Sequence, residues 1–289
     1  MYILGGNNLK KQRKYPPAVR GFQVFATVLF SLMLLFVTLS IVTSKRSLQN
    51  LCDKYVRAVE INEEYFSNFI DAGFSEQQVR DFLTDDRIYQ IMSVVMSDRM
   101  LAIFHYTDRY DYTIDDCKDK ISSILKEYND TYDIGLTAGK LKSLTTYTLD
   151  ISGLSSMFIY DTPLAYRNAL FKTNELEDIR IDTRILKGIA ALSAWYFGLS
   201  IGIMFLIVIG IIIFIHQKNI YPVIADTVFY PSLLFLALSI GEKVALPEEP
   251  LVTDHVFSYL GFVSLFGVIV GVIFYVIGYN LDKRRKINN

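Results

Sequence analysis

Four stretches of this sequence are long and apolar enough to cross a bilayer, whose core of about 30 Å takes a helix of about 20 residues. They are Phe22 to Thr43, Ile189 to Ile215, Val223 to Gly241 and Val256 to Leu281. The first, second and fourth carry no charge, and the third carries only Asp226. Apolar residues make up 52% of the chain and charged residues 20%. The two kinds are segregated, as they must be when a charge in hydrocarbon costs several kcal/mol. The second run spans roughly 40 Å as a helix, so it is expected to tilt or protrude. The first follows a basic stretch but is too long for a signal-peptide core. It leads into Val42-Thr-Ser-Lys-Arg46 with no small-residue cleavage site, and reads as an uncleaved anchor.

The basic residues orient the spans. Lys10, Lys11, Arg13, Lys14 and Arg20 precede the first, and Lys283, Arg284, Arg285 and Lys286 follow the last. Residues 1–21 and 282–289 are therefore expected to be cytoplasmic tails. The short loop 216–222 holds Lys218 and no acid, which suits the cytoplasm. Loop 242–255 holds Glu242, Glu248, Glu249 and Asp254 against Lys243, which suits the outside. Segment 44–188 then lies outside. It has 18 Lys and Arg against 24 Asp and Glu, a net charge of −6. The tails fit attraction to anionic headgroups. A whole-chain charge of −1 gives a nucleic acid no electrostatic footing.

Segment 44–188 reads as helices, which makes the chain all-α: four transmembrane helices with a helical extracytoplasmic domain between the first two. Ser75 to Gln78 has the pattern of a capping box. Ile88, Ile91, Met92, Val95, Met96 and Leu101 recur at helical spacing. Thr113 or Asp115 can cap a helix carrying Ile121, Ile124, Leu125 and Tyr128, with Gly135 after it. Leu141 to Leu149 and Pro163 to Phe171 give two more. Asn174 is expected to cap a helix with an acidic first turn that continues into the second span. Tyr55 to Ala58 and Ile61 are compatible with extended chain. The many tyrosines suit a small core roofed by amphipathic rings.

Candidate chemistry is sparse. His105, Asp108 and Asp111 have a spacing that can share one helical face and hold zinc or a hard cation, although a polar loop between two helices accounts for them as well. Gly153-Leu-Ser-Ser-Met157 lacks the second glycine and the preceding strand of a nucleophile elbow. Cys52 and Cys117, the only cysteines, would be free to pair in an oxidising exterior, but their placement favours two buried thiols. No cofactor motif is present. Asp226 is the one ionisable residue within a span, which makes it a functional candidate. Its position just after Pro222 also fits an interfacial carboxylate near the helix N-terminus, with Lys218 close in sequence. Pro231 is expected to kink that helix and free the Thr227 carbonyl.

Small residues mark packing faces. Ala191, Ala194, Gly198 and Gly202 line one stripe of the second span, and Ser264, Gly267, Gly271 and Gly278 line one of the fourth. These stripes are expected to meet each other, or to receive bulky side chains from the first and third spans, while Ile212 faces lipid.

The order of one span, an outside domain and three spans resembles the permease layout of lipoprotein-release and cell-division ABC systems. Those permeases have a cytoplasmic coupling helix between their second and third spans and a mixed α/β exterior domain. The loop 216–222 is too short for such a helix, and the exterior segment reads as helical. The expectation is a non-enzymatic protein of a bacterial plasma membrane, embedded in the lipid bilayer and presenting its domain to a protein partner or the membrane surface. The alternative is a transport component or membrane-embedded enzyme acting on a lipid or small solute.

Overall fold

The structure is a computed structural model, and the residues described are 16–105, 107, 109–172, 183–216, 220–245 and 251–287. Among them are thirteen α-helices, one 3-10 turn at Glu63–Phe66 and no strand. The helices are α1 (Pro17–Val42), α2 (Lys45–Ala58), α3 (Ser67–Ile70), α4 (Glu76–Leu83), α5 (Asp86–Phe104), α6 (Ile114–Tyr132) and α7 (Ala138–Ile151). They continue as α8 (Leu154–Met157), α9 (Pro163–Lys172), α10 (Thr183–Leu192), α11 (Trp195–Ile215), α12 (Tyr221–Ala245) and α13 (Leu251–Ile287). The chain divides into two units, one holding most of α1 with α11, α12 and most of α13, the other holding residues 39–194 and 249–255.

The first unit contains four helices of membrane-crossing length and apolarity, as the four runs predict. This is the architecture of a multi-pass membrane protein. Val19, Ala26 and Leu29 of α1 pack with Ile201, Val208 and Ile212 of α11. Ile212 is fully buried there, which corrects its expected lipid-facing position. It falls in register with Ile201 and Val208, at spacings of seven and four, on the face that meets α1. Several hydroxyls inside the spans are satisfied locally, although those of Ser40 and Ser264 are buried without a partner. Thr27, Ser31 and Thr38 each donate to the carbonyl four residues back, as do Thr227 and Ser232. That pattern lets a polar side chain sit in hydrocarbon without an open donor. Ser239 instead donates across to the Phe257 carbonyl at 2.7 Å, tying α12 to α13. Helix α12 continues through Pro231, which has no amide hydrogen to offer the Thr227 carbonyl.

The second span is shorter than its apolar run. The turn at Ser193 and Ala194 separates α10 from α11, so the expected continuous helix is two. The 21 residues of α11 extend about 32 Å, close to the bilayer core. The candidate caps at Asn174 and the acidic turn after it lie outside the described residues.

In the second unit, the local signals act as their chemistry dictates. Ser75 Oγ accepts from the Gln78 amide, and Gln78 Oε1 accepts from the Ser75 amide at 2.8 Å. Thr113 and Asp116 form the same reciprocal box at the start of α6. Asp133, in the left-handed region, follows α6, with Gly135 also at positive φ just beyond. Tyr55 to Ala58 are helical, contrary to an extended reading. Leu48, Leu51, Cys52 and Val56 recur at three and four residues, and α2 buries that face along α5.

The core of this unit joins Phe66, Phe69, Phe74, Val79 and Phe82 to Ile121, Leu125, Leu144 and Leu149. Burying each such side chain stabilises by about 1.5–3 kcal/mol. The tyrosines roof it: Tyr128 packs edge-on against Phe82 and donates to the Asp81 carbonyl at 3.1 Å, and Tyr147 donates to the Tyr65 carbonyl at 3.2 Å. Cys117 lies in the core, and Cys52 meets Met100 Sδ at 3.6 Å. Both cysteines are free, and burial pushes each thiol up to about 12.

Candidate functional site

The sequence-derived metal candidates do not come together among the described residues. His105 ends α5, and its Nε2 lies 2.9 Å from the Thr43 carbonyl and 3.2 Å from the Thr43 hydroxyl. Asp111 pairs with Lys45. Asp108 lies outside the described residues. No group of three His, Cys, Asp or Glu side chains among the described residues is placed to hold a metal ion.

Asp226 occupies the third span one turn beyond its start, and both its oxygens are engaged. Tyr275 of α13 donates to Oδ1, and Gln23 of α1 donates to Oδ2 at 3.4 Å. The carboxylate therefore ties three spans together. Lys218, its expected neighbour, lies outside the described residues.

The stripe glycines separate by what they face. Gly198 of α11 lies under the ring of Phe36 from α1. Gly267 lies against Ser232, and Gly271 against the backbone and Cβ of Phe229, both from α12. Each of these three receives a bulkier residue from the first or third span. Gly202 stands in open space, with nothing within 4 Å of a Cβ placed there.

Two of the concavities on the surface of the helical domain bear on function. One is a groove of about 110 Å³ lined by Val56, Val59, Ile61, Leu83, Ile88 and Met92, with Glu60 and Tyr65 at its edge. It is well below the roughly 300–1,000 Å³ of small-molecule sites, and is of a size for one apolar side chain. Val59 is 52% exposed and Tyr65 39% exposed beside it.

The other is a polar cleft of about 700 Å³ between the chain entering α6 and the turn from α8 to α9, lined by Arg109, Tyr110, Asp111, Phe158 and Asp161 among others. Behind Tyr110 and Phe158 lies Arg99 of α5, only 4% exposed. Its Nε donates to the Met157 carbonyl at 2.6 Å. The guanidinium carbon sits 3.3 Å from the centroid of the Tyr110 ring and 4.9 Å from that of Phe158. Burial pushes the Arg99 pKa down from its usual value and that of Tyr110 up. Asp98, also buried, accepts from the Asp111 amide at 2.6 Å, and burial raises its carboxyl above the usual carboxylate range. Sequence reasoning missed Arg99. The available signal was a single arginine beside an aspartate inside an otherwise apolar helical repeat.

A further polar contact joins Ser47 Oγ and His255 Nε2 at 2.7 Å, both side chains buried. Comparison with known proteins gives no matching family model, no matching curated protein and no matching solved structure.

Proposed function

We propose that this chain is a non-enzymatic, multi-pass protein of a bacterial plasma membrane that presents its helical domain on the extracytoplasmic side to a protein partner. The charge pattern supports the orientation, since basic tails flank the spans and the domain between them carries a net charge of −6. The observation that carries the function is the small apolar groove beside Val59 and Tyr65. A groove of that size suits one anchoring side chain, as protein interfaces use. The acidic domain and Glu60 at the groove favour a partner whose anchor is flanked by basic residues.

A photo-crosslinking residue at Tyr65 in sealed cells tests this. The expected result is a stoichiometric adduct with one protein, weakened by salt and lost when Val59→Lys puts a charge in the apolar groove that repels the basic flanks. No adduct, or the same adduct in the Val59→Lys background, refutes the reading.

A further inference from the structure

Arg99 presents an unmet demand. A guanidinium has five N–H donors and is always charged. Here one donor, on Nε, is used. Neither Nη1 nor Nη2, both buried, makes a hydrogen bond of good geometry; the adjacent buried Tyr110 hydroxyl makes none either, and the two groups interact with each other only loosely. The aromatic rings answer only part of this demand. A cation over a ring face gains an electrostatic attraction to the ring. At 3.3 Å the Tyr110 ring covers the face of the guanidinium, whereas the N–H bonds point outward along its edge. Leaving a charged group buried without hydrogen bonds is costly. Asp98 does not relieve it, since no ion pair joins the two and its Oδ2 is taken by the Asp111 amide.

The acceptor that suits such an edge is a carboxylate, which meets a guanidinium through two parallel bonds. The route to it is the polar cleft, because Tyr110 and Phe158 are both the rings that cover Arg99 and part of the cleft wall. Arg99 does not itself line the cleft, so the Tyr110 ring must turn for a ligand to reach it. The cleft wall itself is acidic: with Asp111 paired to Lys45, Asp116 and Asp161 still outnumber Arg109. That wall repels a dianion such as phosphate and attracts an ammonium group.

We propose that this cleft is a binding site for a small zwitterion of the amino-acid class, its carboxylate held by Arg99 and Tyr110 and its ammonium by Asp161 at the mouth. The site is separate from the apolar groove and stands or falls independently of a protein partner there. With it the domain becomes one that reads a small solute.

The test uses the full chain in lipid nanodiscs and calorimetric titration with each common L-amino acid. The matched amines lacking the carboxylate, the matched carboxylates lacking the amine, and inorganic phosphate serve as probes of each group. One subset of amino acids should bind at a single site, with the matched amines weaker by about tenfold or more, as loss of a charge-assisted hydrogen bond implies. Arg99→Gln should abolish binding. Asp161→Asn, at an exposed position, should weaken the amino acid by about tenfold while leaving the matched carboxylate unchanged. If Arg99→Gln fails to fold, the Asp161→Asn contrast alone decides. Absence of binding by every amino acid, tighter binding of phosphate, or a contrast in Asp161→Asn that fails to separate the two probes overturns the proposal.

Discussion

Substituting alanine at Gly271 and at Gly202 should move stability in opposite directions. Both glycines lie in the interior of membrane-crossing helices, so the gain in helix propensity, up to about 1 kcal/mol in water, is common to both. What differs is the space. A Cβ at Gly271 would stand 2.8 Å from Phe229 Cβ, 3.0 Å from its Cα and 3.2 Å from its backbone nitrogen, whereas ordinary contact begins at 3.4 Å. Backbone cannot swing aside as a side-chain tip can, so α12 and α13 must separate by several tenths of an ångström. Overpacking of that kind costs about 1–3 kcal/mol, and in a bilayer it also loosens the close approach on which helix association depends. A Cβ at Gly202 meets nothing within 4 Å. The two variants should therefore differ by about 1–3 kcal/mol, since the propensity gain cancels between them. Denaturing-detergent titration of the purified protein, followed by far-UV circular dichroism, measures this as a separation of midpoints. Equal midpoints, or Gly271→Ala the more stable of the two, would refute the packing assigned to α12 and α13.

Other outcomes follow from the same geometry. Tyr275→Phe removes the donor to Asp226 Oδ1 and leaves only the 3.4 Å contact from Gln23, so it should lower the same detergent midpoint by an amount worth about 1–3 kcal/mol. Cys52 and Cys117, with thiols pushed up to about 12 by burial, should resist a maleimide at pH 8 until the protein is denatured, when two labels should appear by mass. Asp85 caps α5 by accepting from the Arg87 amide at 2.8 Å, and its hydrogen bonds with the Arg87 side chain hold its carboxyl below the usual value of 3.8. Its contribution is present above pH 3.8 and is lost as the pH falls through the folded value. Asp85→Asn keeps a capping acceptor but loses the charge paired with Arg87, so it should cost about 0.2–1 kcal/mol near neutral pH and narrow its gap to the parent in acid, read by thermal melts.

The spans and the caps were legible in the sequence because each depends on a local run. Twenty uncharged residues leave few alternatives to a membrane helix, and the side chains of Ser75 and Gln78 meet whatever the rest of the fold does. Ile212 was misplaced because a span that is apolar on every side gives no periodicity to say which face meets a neighbour. The break at Ser193 and Ala194 lay inside an unbroken apolar run and had no glycine or proline to announce it. Tyr55 to Ala58 became helix through packing on α5, which overrode a weak local preference. Arg99 could be seen as unusual, but its aromatic surroundings come from residues 11, 59 and 67 positions away, and no local pattern links them. The same holds for Asp226, whose partners Gln23 and Tyr275 lie on other spans.

The proposed topology puts the domain between the first two spans outside the cell and both tails inside. Single cysteines at Lys142, on the exposed side of α7, and at Asn7 and Asn288 in the tails decide it, against a native background of two buried thiols. In sealed cells a membrane-impermeant maleimide should label Lys142→Cys and leave Asn7→Cys and Asn288→Cys untouched until the membrane is opened. Labelling of either tail in sealed cells, with Lys142→Cys protected, would contradict the account.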